Sequence, residues 1–386
     1  MARAKPQWRR VLTGRYLRWL VLRALTAAVP GLGRRLGFFP ATVPMMEAGG
    51  EVLEDGRIRI QPDRLDDHAF LETATLHDST ADDFDLAENV TSGSRAVLLS
   101  DALIEATTGQ VVLPHRGSVV MLRGHKANLN ATSARFRRER VSLPGRAWSP
   151  VRTQNYYHML VDNGLRAIEA AEHGPMTIVT TEPTGRVAGA LWRGIVSQLP
   201  STKLRVVADG ALVAADEVLV NFPDNNNWEW TPIPPARAAH LSSVFQSSYG
   251  PPKKHGPLLY LSRGQSKLRQ PTNLAQMEEL LAGHGFQPFV ATDANHPEQI
   301  SRFASAEIVV SIHGAGLTNL LFARPGTKVV EVFPSNFVKS TFWWMAHELG
   351  MEHHPLIGGL GDYDQHFVAP LEELTAKLRQ ILSHRH

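Results

Sequence analysis

Ser311-Ile312-His313-Gly314-Ala315-Gly316-Leu317-Thr318-Asn319 is the stretch whose reading decides the fold. An apolar run, Glu307 to Ile312, leads into it, and a segment that can be helical, Leu317 to Phe322, leads out. The order is strand, glycine turn, helix start. Near-adjacent glycines let backbone N–H groups approach a ligand with no Cβ in the way. The unsatisfied N–H groups and positive end of a helix favour an anion there, so a phosphate or diphosphate is the natural guest. Gly314-x-Gly316-x-x-Asn319 is a near miss of the dinucleotide fingerprint, with Asn where a third Gly belongs. Glu331, in the next apolar run from Lys328 to Phe333, is placed to hold a ribose hydroxyl. A tight turn with no ligand accounts for the glycine spacing equally well.

Outward from this turn the pattern alternates. Strands are expected at 258–263, 287–291, 307–312, 328–333 and 355–357, and helices at 273–282, 297–304, 339–349 and 370–382. Apolar strands alternating with helices give a doubly wound parallel sheet with ligands at the strands' carboxyl ends. Arg263 and His313 stand at two such ends. Arg269 adds a second guanidinium suited to bidentate phosphate contacts.

Residues 250–257, rich in Pro, Gly and Lys, read as a linker and a domain boundary. Before it, strands at 176–180, 204–207 and 217–221 with helices at 187–199 and 236–247 repeat the alternation. Short runs at 96–99, 102–105, 110–113 and 118–122, separated by turns, read as a small antiparallel accessory sheet. Residues 125–150 read as an Arg-rich loop. The expected organisation is a basic segment 1–46, a β-rich accessory region 47–150 and α/β domains at 151–249 and 250–386.

A helix is expected from Asn155. Asn155, His158 and Asp162 share one face of it, and a His one turn from a carboxylate can act as an acid/base pair. A capping Asn and a solvated polar stripe is the plainer reading. Tyr156 and Tyr157 beside the stripe favour a cleft.

Composition narrows the chemistry. The 386 residues contain no cysteine, which excludes disulfides, thiolate metal sites and a cysteine nucleophile. Hydrophobic content of 43% with 20% charged residues fits a soluble globular chain. Residues 1–46 carry nine Lys/Arg and no Asp or Glu, so the rest is mildly acidic and no nucleic-acid protein is indicated. Arg18 and Arg23 interrupt every window long enough to span a bilayer. A basic stretch with Trp8 and Trp19 suits an anionic membrane surface instead, giving an expectation of a cytoplasmic protein, peripheral on the membrane's inner face through residues 1–40. Asp83-Phe84-Asp85 and Asp362-Tyr363-Asp364 are weak divalent-cation patterns, and no metal site is expected from them.

The residues Ser262-Arg263, Arg269, Asn273, Glu298-Gln299-Ile300, the block from His313 to Phe322, Pro325-Gly326-Thr327 and Val330-Glu331-Val332 together resemble glycosyltransferase family 61. Asn155-Tyr156-Tyr157-His158 with Asp162 resembles the same family's earlier motif, with Met159 where Trp is common. The resemblance implies a GT-B fold, with two Rossmann-like domains facing a cleft. It implies inverting transfer of a sugar from a nucleotide-sugar, usually a UDP-sugar, to a hydroxyl of a glycan acceptor, with no other cofactor. The chain is more like the bacterial members, which are associated with capsule and other surface polysaccharides. On this reading Asp162 is the base, with His158 as alternative or orienting partner, and Asn155 and Tyr157 lie on the acceptor side. Arg263, Arg269, His313, Gly314, Ala315, Gly316, Thr318, Asn319 and Glu331 hold the nucleotide-sugar. A hydrolase would need a Gly-x-Ser-x-Gly elbow, which the chain lacks. A dehydrogenase fits poorly, given Asn319 at the third fingerprint position. A noncatalytic nucleotide- or carbohydrate-binding protein of the same fold is the remaining rival.

Overall fold

The computed structural model describes residues 41–44, 48–59, 70, 90–116, 118–121, 139–221, 233–264 and 266–383. The expectations for residues 1–40 and for Asp83 and Asp85 lie outside them. Two sheets organise the chain. The first contains β1 (Ala41–Pro44), β2 (Glu51–Arg59), β3 (Val90–Leu99), β4 (Leu103–Glu105), β5 (Gln110–Leu113), β6 (Ser118–Met121), β7 (Arg140–Trp148), β8 (Met176–Thr180), β9 (Thr202–Val206) and β10 (Leu212–Val220). Its spatial order is β1-β6-β5-β4-β10-β7-β8-β9, with β3 pairing β10 and β2. The strands β9-β8-β7-β10 are mutually parallel. Numbered by their order in the chain they run 3-2-1-4, the order of the first four strands of a dinucleotide-binding sheet. The short strands do not stand apart as an accessory layer, because β3 and β4 both pair antiparallel with β10.

β7 was expected to be loop, and its sequence shows why. Pro144-Gly145 sits in mid-strand, where the register with β10 shifts between Ala215 and Glu217. Gly145 adopts φ 76° and its N–H reaches Asp216 Oδ2 at 2.6 Å. A bulge absorbs the proline, which has no N–H to give the ladder.

The second sheet holds β11 (Leu258–Ser262), β12 (Gln287–Val290), β13 (Ile308–Ile312), β14 (Lys328–Phe333) and β15 (Glu352–Ile357), all parallel, in the order β12-β11-β13-β14-β15. This is the doubly wound 2-1-3-4-5 order, whose crevice opens between its first and third strands, here β11 and β13. The residues following these strands are Arg263 and His313.

The helices are α1 (Arg166–Glu172), α2 (Arg186–Gln198), α3 (Pro235–Tyr249), α4 (Leu274–Gly283), α5 (His296–Ser305), α6 (Thr341–Glu348) and α7 (Leu371–Ser383). A π-helical stretch, His158–Leu165, runs directly into α1. Alternation along the central strands sends side chains to opposite faces of the second sheet. Tyr260, Ile308, Val310 and Val330 pack against Met277 and Leu281 of α4 and Leu374 and Leu378 of α7. Leu259, Leu261, Val309 and Val329 join a larger core that also contains Leu160, Leu191, Leu241 and Phe245 from the first half. The two α/β layers therefore share one apolar core. Among the described residues no helix is long and apolar enough to cross a membrane.

Candidate active site

A cavity of about 540 Å³ lies between the two layers. Tyr156, Met159 and Gly185 line it from the first half, and Ala291, Asp293 and Gly316 from the second. Gly185 follows β8 and Ala291 follows β12, so the cavity sits at carboxyl ends of parallel strands from both sheets, the position the fold favours for a ligand. A smaller cavity of about 300 Å³ lies against the 250–253 linker, lined by Phe245, Tyr249 and Lys253.

The glycine turn is built differently from the expectation. Gly314 has φ 173°, which is ordinary extended backbone. Its lack of a side chain serves a neighbour, since a Cβ there would lie 2.0 Å from Arg263 Nη1. Arg263 Nη1 donates to the His313 carbonyl at 2.7 Å, and Arg269 Nε donates to the same oxygen at 3.1 Å. Two guanidiniums thus converge on one carbonyl at the crevice between β11 and β13. Arg263 also bonds Ser266 Oγ, and its Nε is buried without a partner among the described residues. Arg269 bonds Gln365 Oε1 and lies 4.8 Å over the Phe337 ring, from a left-handed backbone, φ 56°, uncommon for a side chain of its size. Burial and the neighbouring Arg269 lower the Arg263 pKa to about 10, which leaves it charged at neutral pH. Burial lowers Arg269 too, opposed by Glu331. Ala315 to Phe322 form a 3₁₀ helix.

Glu331 is not available to a ribose hydroxyl. It is fully buried, and its oxygens accept from His313 Nδ1 and His353 Nε2, both at 2.7 Å. Burial, followed by Arg269, Arg263, Lys339 and His353, holds the His313 pKa well below the usual histidine range. Thr318 and Asn319 lie under the turn, both wholly buried.

Asn319 belongs to a chain of polar side chains that the sequence reading did not find. Its amide donates to Gln299 Oε1 and the Gly316 carbonyl, each at 2.9 Å. Its oxygen must therefore accept, and Tyr156 OH donates to it at 2.8 Å. The same phenol oxygen accepts from His296 Nε2 at 2.8 Å, and Tyr249 OH faces His296 Nδ1 at 3.2 Å. Burial pushes His296 down to about 4 and Tyr156 well above its usual range, so both are neutral and the proton order is fixed. Tyr156 comes from the first layer and His296 and Asn319 from the second. Only the Tyr156-Tyr157 pair hinted at this.

His158 and Asp162 do come together, with Nδ1 and Oδ2 2.6 Å apart. The His158 side chain is 23% exposed and that of Asp162 only 7%, so the imidazole is the accessible end. Their π-helical setting is rare and often marks functional sites. Asn155 caps the backbone N–H of Tyr157 at 2.9 Å and is exposed. Tyr157 is buried, edge-on to both His158 and Phe342, and Phe342 in turn packs on His313. The two histidines thus flank one aromatic wall. Asp362 spends Oδ1 on the backbone N–H groups of Asp364 and His366, and among the described residues no cluster of three acidic, His or Cys side chains could hold a metal.

A mixed α/β chain with parallel sheets, a cationic crevice and a largely apolar cavity between the layers is compatible with a Rossmann-like glycosyltransferase fold. Residues 156–330 match the family model described as Glycosyltransferase 61, so this segment of the chain is similar to that family. A 62-residue segment is 37% identical to the beta-1,2-xylosyltransferase RCN11 of Oryza sativa subsp. japonica, covering 16% of this chain and 12% of that one. Over 84 residues the identity to the beta-1,2-xylosyltransferase of Arabidopsis thaliana is 27%, covering 22% and 15%. The chain spans only a small part of the length of either relative.

Proposed function

We propose that the protein is an inverting glycosyltransferase of GT-B type that moves a sugar from a nucleotide-sugar, in first choice a UDP-sugar, to a hydroxyl of a glycan. The convergence of Arg263 and Arg269 beside Gly314 carries this reading. Two charged guanidiniums at the crevice between β11 and β13 are suited to a departing diphosphate without a metal. The named relatives make UDP-xylose the first donor to try.

In this scheme the acceptor hydroxyl enters from the first layer and loses its proton to the His158 imidazole, while Asp162 orients the ring and stabilises its cation. The exposures of the two side chains favour this over Asp162 acting directly. Cytoplasmic action at a membrane surface, and surface polysaccharide as acceptor, extend the same proposal. Thermal-shift and calorimetric titration against a panel of nucleotides and UDP-sugars tests the donor half. A selective shift with one UDP-sugar, lost in Arg263→Met, is expected; binding undiminished in that variant would overturn it. Asp162→Asn and His158→Gln should each lower turnover at least a hundredfold with nucleotide affinity nearly unchanged. Wild-type turnover in both would sink the base assignment.

A further inference from the structure

His313 stands beside the cationic pair, yet the groups around it deny it a cationic role. Glu331 is wholly buried and lies against two imidazoles. The Glu331 charge is felt by Arg269, and a carboxylate only accepts, so each ring nitrogen facing it brings the proton. That fixes His313 with its hydrogen on Nδ1. The charged and titratable groups around the ring are Arg263, Arg269, Lys339, Glu331 and His353. Phe333 stacks on the ring at 5.2 Å, and Phe337 and Phe342 pack at 5.6 and 5.5 Å, so the imidazole is held among three aromatic rings with its Nδ1 edge on Glu331. Nε2 then carries a lone pair. It has no partner among the described residues and is not among the atoms sealed from solvent, and the side chain keeps 10% of its exposure.

We propose that His313 Nε2 is a fixed hydrogen-bond acceptor for a hydroxyl of the nucleotide-sugar, and that Glu331, backed by His353, is the positioning residue that sets its tautomer. This rests on reading Arg263 and Arg269 as the diphosphate ligands. Those two side chains offer only donors, so they suit phosphate oxygens and cannot accept the hydrogen of a hydroxyl. A lone pair beside them supplies the missing half, and a site built to accept from a hydroxyl discriminates strongly against a ligand lacking it.

The full chain labelled with ¹⁵N-histidine tests this with UDP and UDP-xylose as probes. The ring nitrogens of His313 should report the neutral Nδ1–H tautomer between pH 6 and 8 without ligand, and the Nε2 resonance should move when one probe is added. Movement with UDP places the hydroxyl on the ribose; movement only with UDP-xylose places it on the sugar. Glu331→Gln should disturb the tautomer and raise the donor KM about tenfold, the scale of one lost hydrogen bond, with kcat little changed. An Nε2–H tautomer in the wild type overturns the inference. So does an Nε2 resonance unmoved by both probes when calorimetry shows that they bind, and neither outcome depends on how well the variant folds. Absence of calorimetric binding by either probe instead removes the diphosphate reading, and this inference with it.

Discussion

One close approach in the site is between a backbone and a cation. Because Gly314 leaves the space that Arg263 Nη1 occupies, Gly314→Ala must push the guanidinium off the His313 carbonyl. Nucleotide affinity should fall at least tenfold while the melting temperature changes little, as titration of a folded variant will show. Arg263 could be picked out from its place at a strand tip. The use of Gly314 could not, since a glycine that makes room for a distant side chain looks the same as one that makes room for a ligand. Glu331 was legible as a carboxylate near the site but not as the partner of two histidines, which only the pairing of β14 with its neighbours brings within reach. The neutral His296 has a consequence for acid stability. Its folded pKa of about 4 lies below the unfolded value near 6.5, so between these pH values the unfolded chain binds the extra proton. Stability is therefore full above pH 6.5 and falls as pH drops towards 4, by about 3 kcal/mol from this group. Glu348, raised to about 7 by burial, contributes the opposite slope. Denaturant unfolding of wild type against His296→Asn, from pH 7 to 4, isolates the histidine as the difference between the two slopes.

Elements were read well where periodicity was clean and poorly where glycine and proline carried packing or bulge duties. The first four parallel strands of the second sheet follow their apolar runs within a residue, while β15 begins three residues before the expected 355. β7 escaped because Pro144-Gly145 interrupts a pattern that the bulge restores. The π-helical widening at His158 cannot be read from the His158–Asp162 spacing, because residues four apart are neighbours in either helix. Gly194 marks where α2 crosses α3: a Cβ there would come within 2.3 Å of the Val244 carbonyl. Gly194→Ala should destabilise the protein by about 1–3 kcal/mol through forced separation of the helices. Chemical denaturation reads the loss, and an unchanged midpoint would show that the crossing can relax.

Over the whole molecule the two layers are fastened at polar points as well as by the shared core. Asp293 of the second layer receives the N–H groups of Arg186 at 2.7 Å and Val187 at 3.1 Å, capping α2 across the cavity. Arg186 Nη1 returns a bond to the Ala294 carbonyl at 2.7 Å. Asp293→Ala should cost about 1 kcal/mol, the usual worth of a cap, measurable by urea unfolding. None of these cross-links was legible, because each joins residues more than a hundred positions apart with no local signature. The Tyr156–His296–Asn319 chain adds a seam in which each donor has one permitted direction. The two halves are accordingly poor candidates for mix-and-match engineering. A chimera that grafts residues 250–386 of this chain onto a related chain's amino-terminal half would inherit an imidazole and an amide cut to fit a phenol left behind. A change of ligand preference is better sought by substituting single side chains around the cavity than by swapping halves.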